Sequence, residues 1–219
     1  VASVTQNGFK RLARKDESKL VYIKGGSLRT QVLKGDVATV LGWFVREFNA
    51  TVEKIDLTLF GWRSIETNLT VGGSSDSNHV SGTALDINGA RHPWEQRVGK
   101  TLASGFSATQ VARIRLLQHA CSGVVHWGGD YNPRFRDWMH FDVRASSSQL
   151  KAAAKKLRGG TVRTTAAVNV RMGASTTSKV DRVIPKGFRF NYNDVVCRGG
   201  RLWLHTTAGH YVAAEFTTF

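Results

Sequence analysis

A change of hydrophobic period at Gly159-Gly160 most constrains what this chain can fold into. Before that pair, apolar residues recur at helical spacing; after it they alternate. Val37, Val40, Leu41, Phe44, Val45 and Phe48 fall at i, i+3, i+4, i+7, i+8 and i+11, which predicts an amphipathic helix over 37–48. Asp36 stands where an N-cap belongs and Asn49 where the helix could stop. Residues 107–120 predict a second helix, with Ser107 and Gln110 at capping-box spacing. Residues 146–158 predict a third, closed by the glycine pair. Residues 51–63 are rich in β-branched and apolar side chains and read as a strand, 67–79 as a polar loop, and 121–131 as a strand and turn. Beyond the glycines, Val168, Val170 and Met172 alternate, as do Phe188, Phe190 and Tyr192, and two more short apolar runs flank a turn. Several short strands at close spacing predict a small β-barrel. The expected organisation is an α+β domain over 1–156, a boundary near 156–163 and an all-β domain over 163–219.

Composition narrows the class. The 219 residues are 41% hydrophobic and 21% charged, enough apolar material for a packed core, which excludes global disorder. No run approaches the ~18 apolar residues of a membrane-spanning helix. Two cysteines cannot make a disulfide framework. Cys121 and Cys197 fall in different expected domains and are expected as free thiols. The formal net charge is +15, of which +9 lies in residues 151–219. Such a surface attracts polyanions: nucleic acid, anionic membranes or the anionic polymers of a bacterial wall. No RNP motif, helix-turn-helix signature or zinc-finger spacing supports nucleic acid, which is not expected as a partner. The first fifteen residues show no apolar core of a secretory signal, so synthesis in the cytoplasm or prior processing is expected. A monomer is expected.

Two stretches concentrate chemistry. Ser77–Asn88 supplies His79 and Asp86 around Gly82, and 137–142 supplies Asp137, His140 and Asp142. Two imidazoles and one carboxylate are a ligand set for catalytic zinc, with the fourth position left for water. A carboxylate beside the metal could take that water's proton, and Asp137, three residues before His140, is placed for it. Taken singly, a histidine is more often a packing or surface residue than a ligand.

The pattern Ser77, His79, Gly82, Ala84, Asp86, followed about fifty residues later by Asp137 and His140, resembles the zinc D-Ala-D-Ala carboxypeptidase and L-alanyl-D-glutamate endopeptidase family of bacterial and phage peptidoglycan peptidases. The stretches at 90–93, 126–130 and 137–141 are similar to that family too, and the likeness spans roughly residues 30–145. It implies a small antiparallel sheet with flanking helices, zinc on His79, Asp86 and His140, and Asp137 as general base where many members have Glu. It also implies a substrate contact at Ser77. Arg63 looks like the family's Arg before the metal motif, either binding a substrate carboxylate and stabilising an oxyanion or standing solvated at a strand end.

Other residues carry two readings. His92 reads as structural and His119 as a surface or packing residue. His126 reads as pocket or packing, and Trp127 as cleft or core. Asp130 and Asp142 could orient a metal-bound imidazole.

Residues 163–219 resemble the bacterial SH3-type cell-wall-binding domain, through Val168–Ser175, Ile184–Gly187, Trp203 and Gly209–Val212. Trp203 and Tyr211 then form an aromatic groove for a wall ligand, or Trp203 is the barrel's core residue. Together the two resemblances imply a phage endolysin, made in the host cytoplasm and acting on the bacterial wall. The alternative is a wall-binding protein with a non-catalytic zinc on the same scaffold.

Overall fold

The computed structural model describes residues 3–94 and 104–219 of the chain. A hairpin, β1 (Leu20–Gly25) and β2 (Leu28–Leu33), leads into helix α1 (Asp36–Thr51). Four short strands then assemble out of sequence order. β3 (Leu59–Phe60), β4 (Ala84–Ile87), β6 (His140–Val143) and β5 (Val125–Trp127) form an antiparallel sheet in the order β3-β4-β6-β5. Helix α2 (Ile65–Thr70) follows β3, helix α3 (Ala108–Ala120) precedes β5, and helix α4 (Ser147–Arg158) follows β6.

The predicted helices form where the periodicity places them, with shifted ends. α1 begins after Gly35, whose φ of 83° breaks the chain direction, so Asp36 is the first helical residue and not the cap. It continues past Asn49 to Thr51. Asn49 instead turns its side chain out of the helix to accept the backbone N–H of Ile55. That contact, and a matching one in which the Leu57 N–H donates to Asn88 Oδ1, satisfy two backbone donors of the segment after α1. The strand expected over 51–63 is therefore confined to Leu59–Phe60. The polar stretch expected as loop opens with the end of α2, which Ser64 caps by accepting from the Thr67 N–H. α3 and α4 start at capping boxes, Ser107 with Gln110 and Ser146 with Gln149.

The sheet has a hydrophobic face and a polar face, and every residue of β4 and β6 is buried. Leu85, Ile87, Phe141 and Val143 join the main core. Phe141 meets Phe44 and Phe48 of α1 at ring separations of 5.0 and 5.6 Å. Because strand side chains alternate, Asp86, His140 and Asp142 fall on the opposite face. The packing that buries α1 thus fixes which residues line the other side of the sheet.

After Gly159 the chain forms β7 (Gly160–Thr164), β8 (Val168–Arg171), β9 (Val180–Ile184), β10 (Arg189–Arg198), β11 (Arg201–Thr206), β12 (Tyr211–Ala213) and β13 (Thr217–Thr218). They make one antiparallel sheet in the order β13-β7-β10-β11-β12-β8-β9. This sheet is not held only by a linker. Val162, Tyr192, Val195, Cys197 and Leu204 share one continuous core with α1 and α4. The Trp43 indole N–H donates to the Val195 carbonyl at 2.6 Å. Glu47, on the same helix, is buried; it accepts the Cys197 N–H at 2.8 Å and pairs with Arg46 and Arg198, each at 2.9 Å. Cys121 and Cys197 are both free and buried. Among the described residues no helix is long and apolar enough to cross a membrane.

The junction has a measurable worth. In Glu47→Ala, Arg46 and Arg198 can turn to water, since both are nearly half exposed. The buried Cys197 N–H cannot, and leaving it unpaired costs about 1–3 kcal/mol. Calorimetry of the full chain should show one unfolding transition, with Glu47→Ala lowering it as a whole; two separate transitions would contradict a shared core.

Candidate metal centre

Three side chains converge on the polar face of the four-stranded sheet. Asp86 and His140 are directly paired residues on β4 and β6. Cross-strand partners on one face bring their side chains together, so the β4–β6 register alone sets this contact. His79 comes from a 3-10 turn (Asn78–Ser81) that precedes β4. Ser77 caps that turn through its side chain, and Gly82 closes it at φ 70°. A Cβ on Gly82 would also come within 2.8 Å of the Leu33 backbone nitrogen, so no other residue fits there.

The atoms that meet are His79 Nε2, His140 Nδ1 and Asp86 Oδ1. Their separations are 3.1 Å from His79 to Asp86, 3.0 Å from His140 to Asp86 and 3.3 Å between the imidazoles. His79, Asp86 and His140 can hold a metal ion. A tetrahedral ion bound at about 2.0–2.1 Å needs ligand atoms about 3.3 Å apart, close to this spacing. The tautomer is prepared as well: His79 Nδ1 donates to the Gly61 carbonyl at 2.7 Å, leaving Nε2 with its lone pair facing the cluster.

Electrostatics are strongly unequal across the group. Burial lowers His79 and outweighs the attraction of Asp86. Burial opposes the charge on Asp86, yet His79 and His140 hold its carboxyl well below the usual range. Burial also works against a charged His140, but its bond to Asp86 and the charges of Asp86, Asp142 and Asp137 push it up to about 9. Arg63 adds a guanidinium against Asp86 Oδ2. The expected Arg63 is thus engaged by the ligand carboxylate and is not solvated at a strand end.

Asp137 lies beside the cluster in the same cleft. Its backbone is anchored by Gly128, whose carbonyl accepts the Asp137 N–H at 3.1 Å. A Cβ on Gly128 would stand 2.3 Å from the Asp137 carbonyl oxygen, so the glycine permits this approach. Burial, and then the charge of Asp86, push the Asp137 carboxyl up to about 7. Its Oδ1 is shut off from solvent and has no hydrogen-bond partner among the described residues. A buried, unpartnered carboxylate oxygen next to three converging ligand atoms is the expected signature of a site built around something further.

The cleft holds about 1300 Å³. Ser77 and Arg63 line it with the cluster, along with Phe60, Trp62, Tyr131 and Arg144, which sequence reasoning did not single out. Arg144 was accessible to it: His140, Asp142 and Arg144 are spaced two apart, so a strand through them shows one face. Nothing in the sequence signalled the Gly61 carbonyl.

Other expected residues lie elsewhere. Asp142 orients no ligand imidazole; it accepts from Asn78 Nδ2, from Tyr131 Oη at 3.3 Å and from Arg144 Nε at 2.9 Å. Asp130 pairs with Arg115 at the surface, away from both imidazoles. His126 and His119 are exposed. His92 is buried between Glu53 and the Ser104 carbonyl and stacks on Phe106, a packing role. Trp127 is core, its N–H donating to the Trp138 carbonyl. Trp203 is core too: it is 2% exposed and its N–H donates to the Arg198 carbonyl, so it offers no open groove wall. Tyr211 stays half-buried, its ring 4.8 Å from that of His205.

Residues 71–143 match the M15 peptidase family model described as D-alanyl-D-alanine carboxypeptidase. The matched segment contains His79, Asp86, Asp137 and His140. No curated protein matches the chain. Among solved structures, Ly7917 with the hydrolyzing product of MDP is 22% identical over 34% of this chain and 32% of that one, with a TM-score of 0.23. A second Ly7917 structure is 18% identical over 39% and 41%, with a TM-score of 0.22. The Serratia marcescens L-Ala D-Glu endopeptidase ChiX is 19% identical over 49% and 77%, with a TM-score of 0.30. The chain therefore spans well under half the length of Ly7917, and scores of this size do not establish a shared fold.

Metal uptake at this site should release protons. In the metal-free protein His140 is mostly protonated at pH 7.5, because its value is raised to about 9, whereas a metal ligand must be neutral. Titration calorimetry in buffers of different ionisation enthalpy should show about one proton released per metal at pH 7.5. Affinity should rise with pH and level off above about 9. A binding heat independent of the buffer would contradict this assignment.

Proposed function

We propose that the chain is a zinc-dependent peptidoglycan peptidase of the endolysin type, hydrolysing an amide bond in bacterial stem peptides. One observation carries the reading: the ligand atoms of His79, Asp86 and His140 meet 3.0–3.3 Å apart beside the unpartnered Oδ1 of Asp137, inside a large cleft. The family match over the same residues supports it. Two nitrogens and one oxygen at this spacing suit zinc, which when bound supplies Lewis acidity and makes water nucleophilic near neutral pH.

The remaining chemistry belongs to side chains. The Asp137 carboxylate takes the proton of the attacking water as the C–O bond forms. A carboxyl held beside the site can both accept that proton and return it to the departing amine nitrogen as the C–N bond breaks. The shorter Asp serves where a Glu would reach further, because Gly128 lets its backbone approach the site. Arg63 holds Asp86 in place and keeps positive charge where the oxyanion develops. Ser77 caps the His79 turn and lines the cleft, within reach of substrate backbone.

The C-terminal sheet, read as an SH3-like wall-binding module over 163–219, concentrates positive charge, which favours anionic wall polymers. Tyr211 is its candidate ligand contact; the buried Trp203 supports the fold of the sheet. Binding by that module would raise the concentration of the cleft at an insoluble substrate.

Asp137→Asn tests the assignment of the base. It should retain zinc, measured by metal analysis, and lose about 10²–10⁴-fold in turnover of purified peptidoglycan. Full activity in a zinc-loaded Asp137→Asn protein would remove Asp137 from the mechanism.

A further inference from the structure

Three guanidiniums line the cleft among the described residues: Arg14, Arg63 and Arg144. Their situations differ. Arg63 is committed to Asp86. Arg14 is exposed on a 3-10 turn, and no hydrogen bond fixes it among the described residues. Arg144 is held on two sides yet remains open on the third. Its Nε donates to Asp142 Oδ2 at 2.9 Å, and one terminal nitrogen donates to Tyr131 Oη at 2.7 Å. Its Cζ sits 4.9 Å over the Tyr131 ring. The other terminal nitrogen, Nη1, has no partner among the described residues, and the side chain is 40% exposed.

The supports of Arg144 are themselves rigid. Asp142 is fully buried and also accepts from Asn78, the residue before His79. Tyr131 Oη donates to Asp142 Oδ1, which closes a ring of three side chains. A guanidinium fixed in this way has lost its rotamer freedom before any ligand arrives, so binding an anion costs little further ordering. Asp142 balances one positive charge, but it occupies only the Nε edge, leaving Nη1 free on a residue that lines the cleft.

We propose that Arg144 is a carboxylate-recognition residue of the cleft, selecting substrates that carry a free carboxylate near the scissile amide. The inference rests on the peptidase reading above and adds a substrate requirement to it. The Tyr131 ring lies 6.2 Å from that of His140, and the Arg144 Cζ lies 4.9 Å from the centre of the same Tyr131 ring. The separation from the metal centre is therefore no more than about three extended residues. A peptide substrate can present a carboxylate at that range, and its primary amide is the neutral counterpart. A guanidinium bonds a carboxylate more strongly than a neutral amide, so Arg144 distinguishes the two. Tyr131 is a positioning residue that aims Arg144.

The test uses the full zinc-loaded chain and a set of synthetic stem peptides in which one carboxylate at a time is replaced by a primary amide. The wild-type protein should prefer the acid over the amide at one position by about 10–100-fold in kcat/KM, expressed chiefly in KM. Arg144→Gln should bring that ratio close to one. Arg144→Lys, which keeps the charge beside Asp142 and loses the fork, should give an intermediate ratio and serves if the Gln variant fails to fold. Tyr131→Phe should narrow the ratio through KM. An unchanged preference in a folded, zinc-loaded Arg144→Gln or Arg144→Lys protein would overturn the proposal, as would a wild-type protein that cleaves every peptide equally. Failure of the wild-type protein to cleave any of them would instead remove the peptidase reading on which the proposal stands.

Discussion

A carboxylate with almost no access to water, Asp86, faces two imidazoles and a guanidinium. Isolated in this position it would be costly, since burying an unpaired charge is among the most expensive things a fold can do. Its bonds to His79, His140 and Arg63 offset that cost. The rest of the site depends on this contact. The β4–β6 register places His140 opposite Asp86, the capped turn after Ser77 delivers His79, and the Gly61 carbonyl sets the tautomer. The other face of the same strands packs on α1 through Phe141, so a register slip would move the ligands into the core and Phe141 into the cleft.

Asp137 shows how a fold can hold a group poised between two states. Its backbone is tied to Gly128 and bridged to Trp94, which fixes where the side chain starts from. Burial and the neighbouring Asp86 both disfavour its charge. Such a carboxyl is a poor stabiliser of structure, and groups shifted in this way cluster at functional sites. Its unpartnered oxygen, together with the ligand spacing, is why a catalytic reading is preferred to a structural metal.

Much of this was legible in the residues. The 3.6-residue period of 37–48 and the Ser107/Gln110 box marked α1 and α3, and linked motifs in order marked the converging His79, Asp86 and His140. What escaped was set by contacts distant in sequence. Asn49 and Asn88 satisfy the backbone of 55–57 and so deny it to a strand, which no local propensity reveals. Asp142 looked like a partner for an imidazole because it neighbours His140, but its acceptor sites are taken by Asn78, Tyr131 and Arg144. The change of period after Gly159 was visible, whereas the shared core joining the second sheet to α1 was not. Glu47 and Trp43 read as ordinary helix residues until Val195 and Cys197 are seen against them.

Digestion of purified peptidoglycan, followed by mass spectrometry of the released fragments with and without a chelator, tests the account most directly. The account predicts release of a defined stem-peptide fragment that stops when the metal is withdrawn and resumes when zinc is restored. Intact stem peptides after incubation with protein shown to contain zinc, or cleavage indifferent to the chelator, would contradict it.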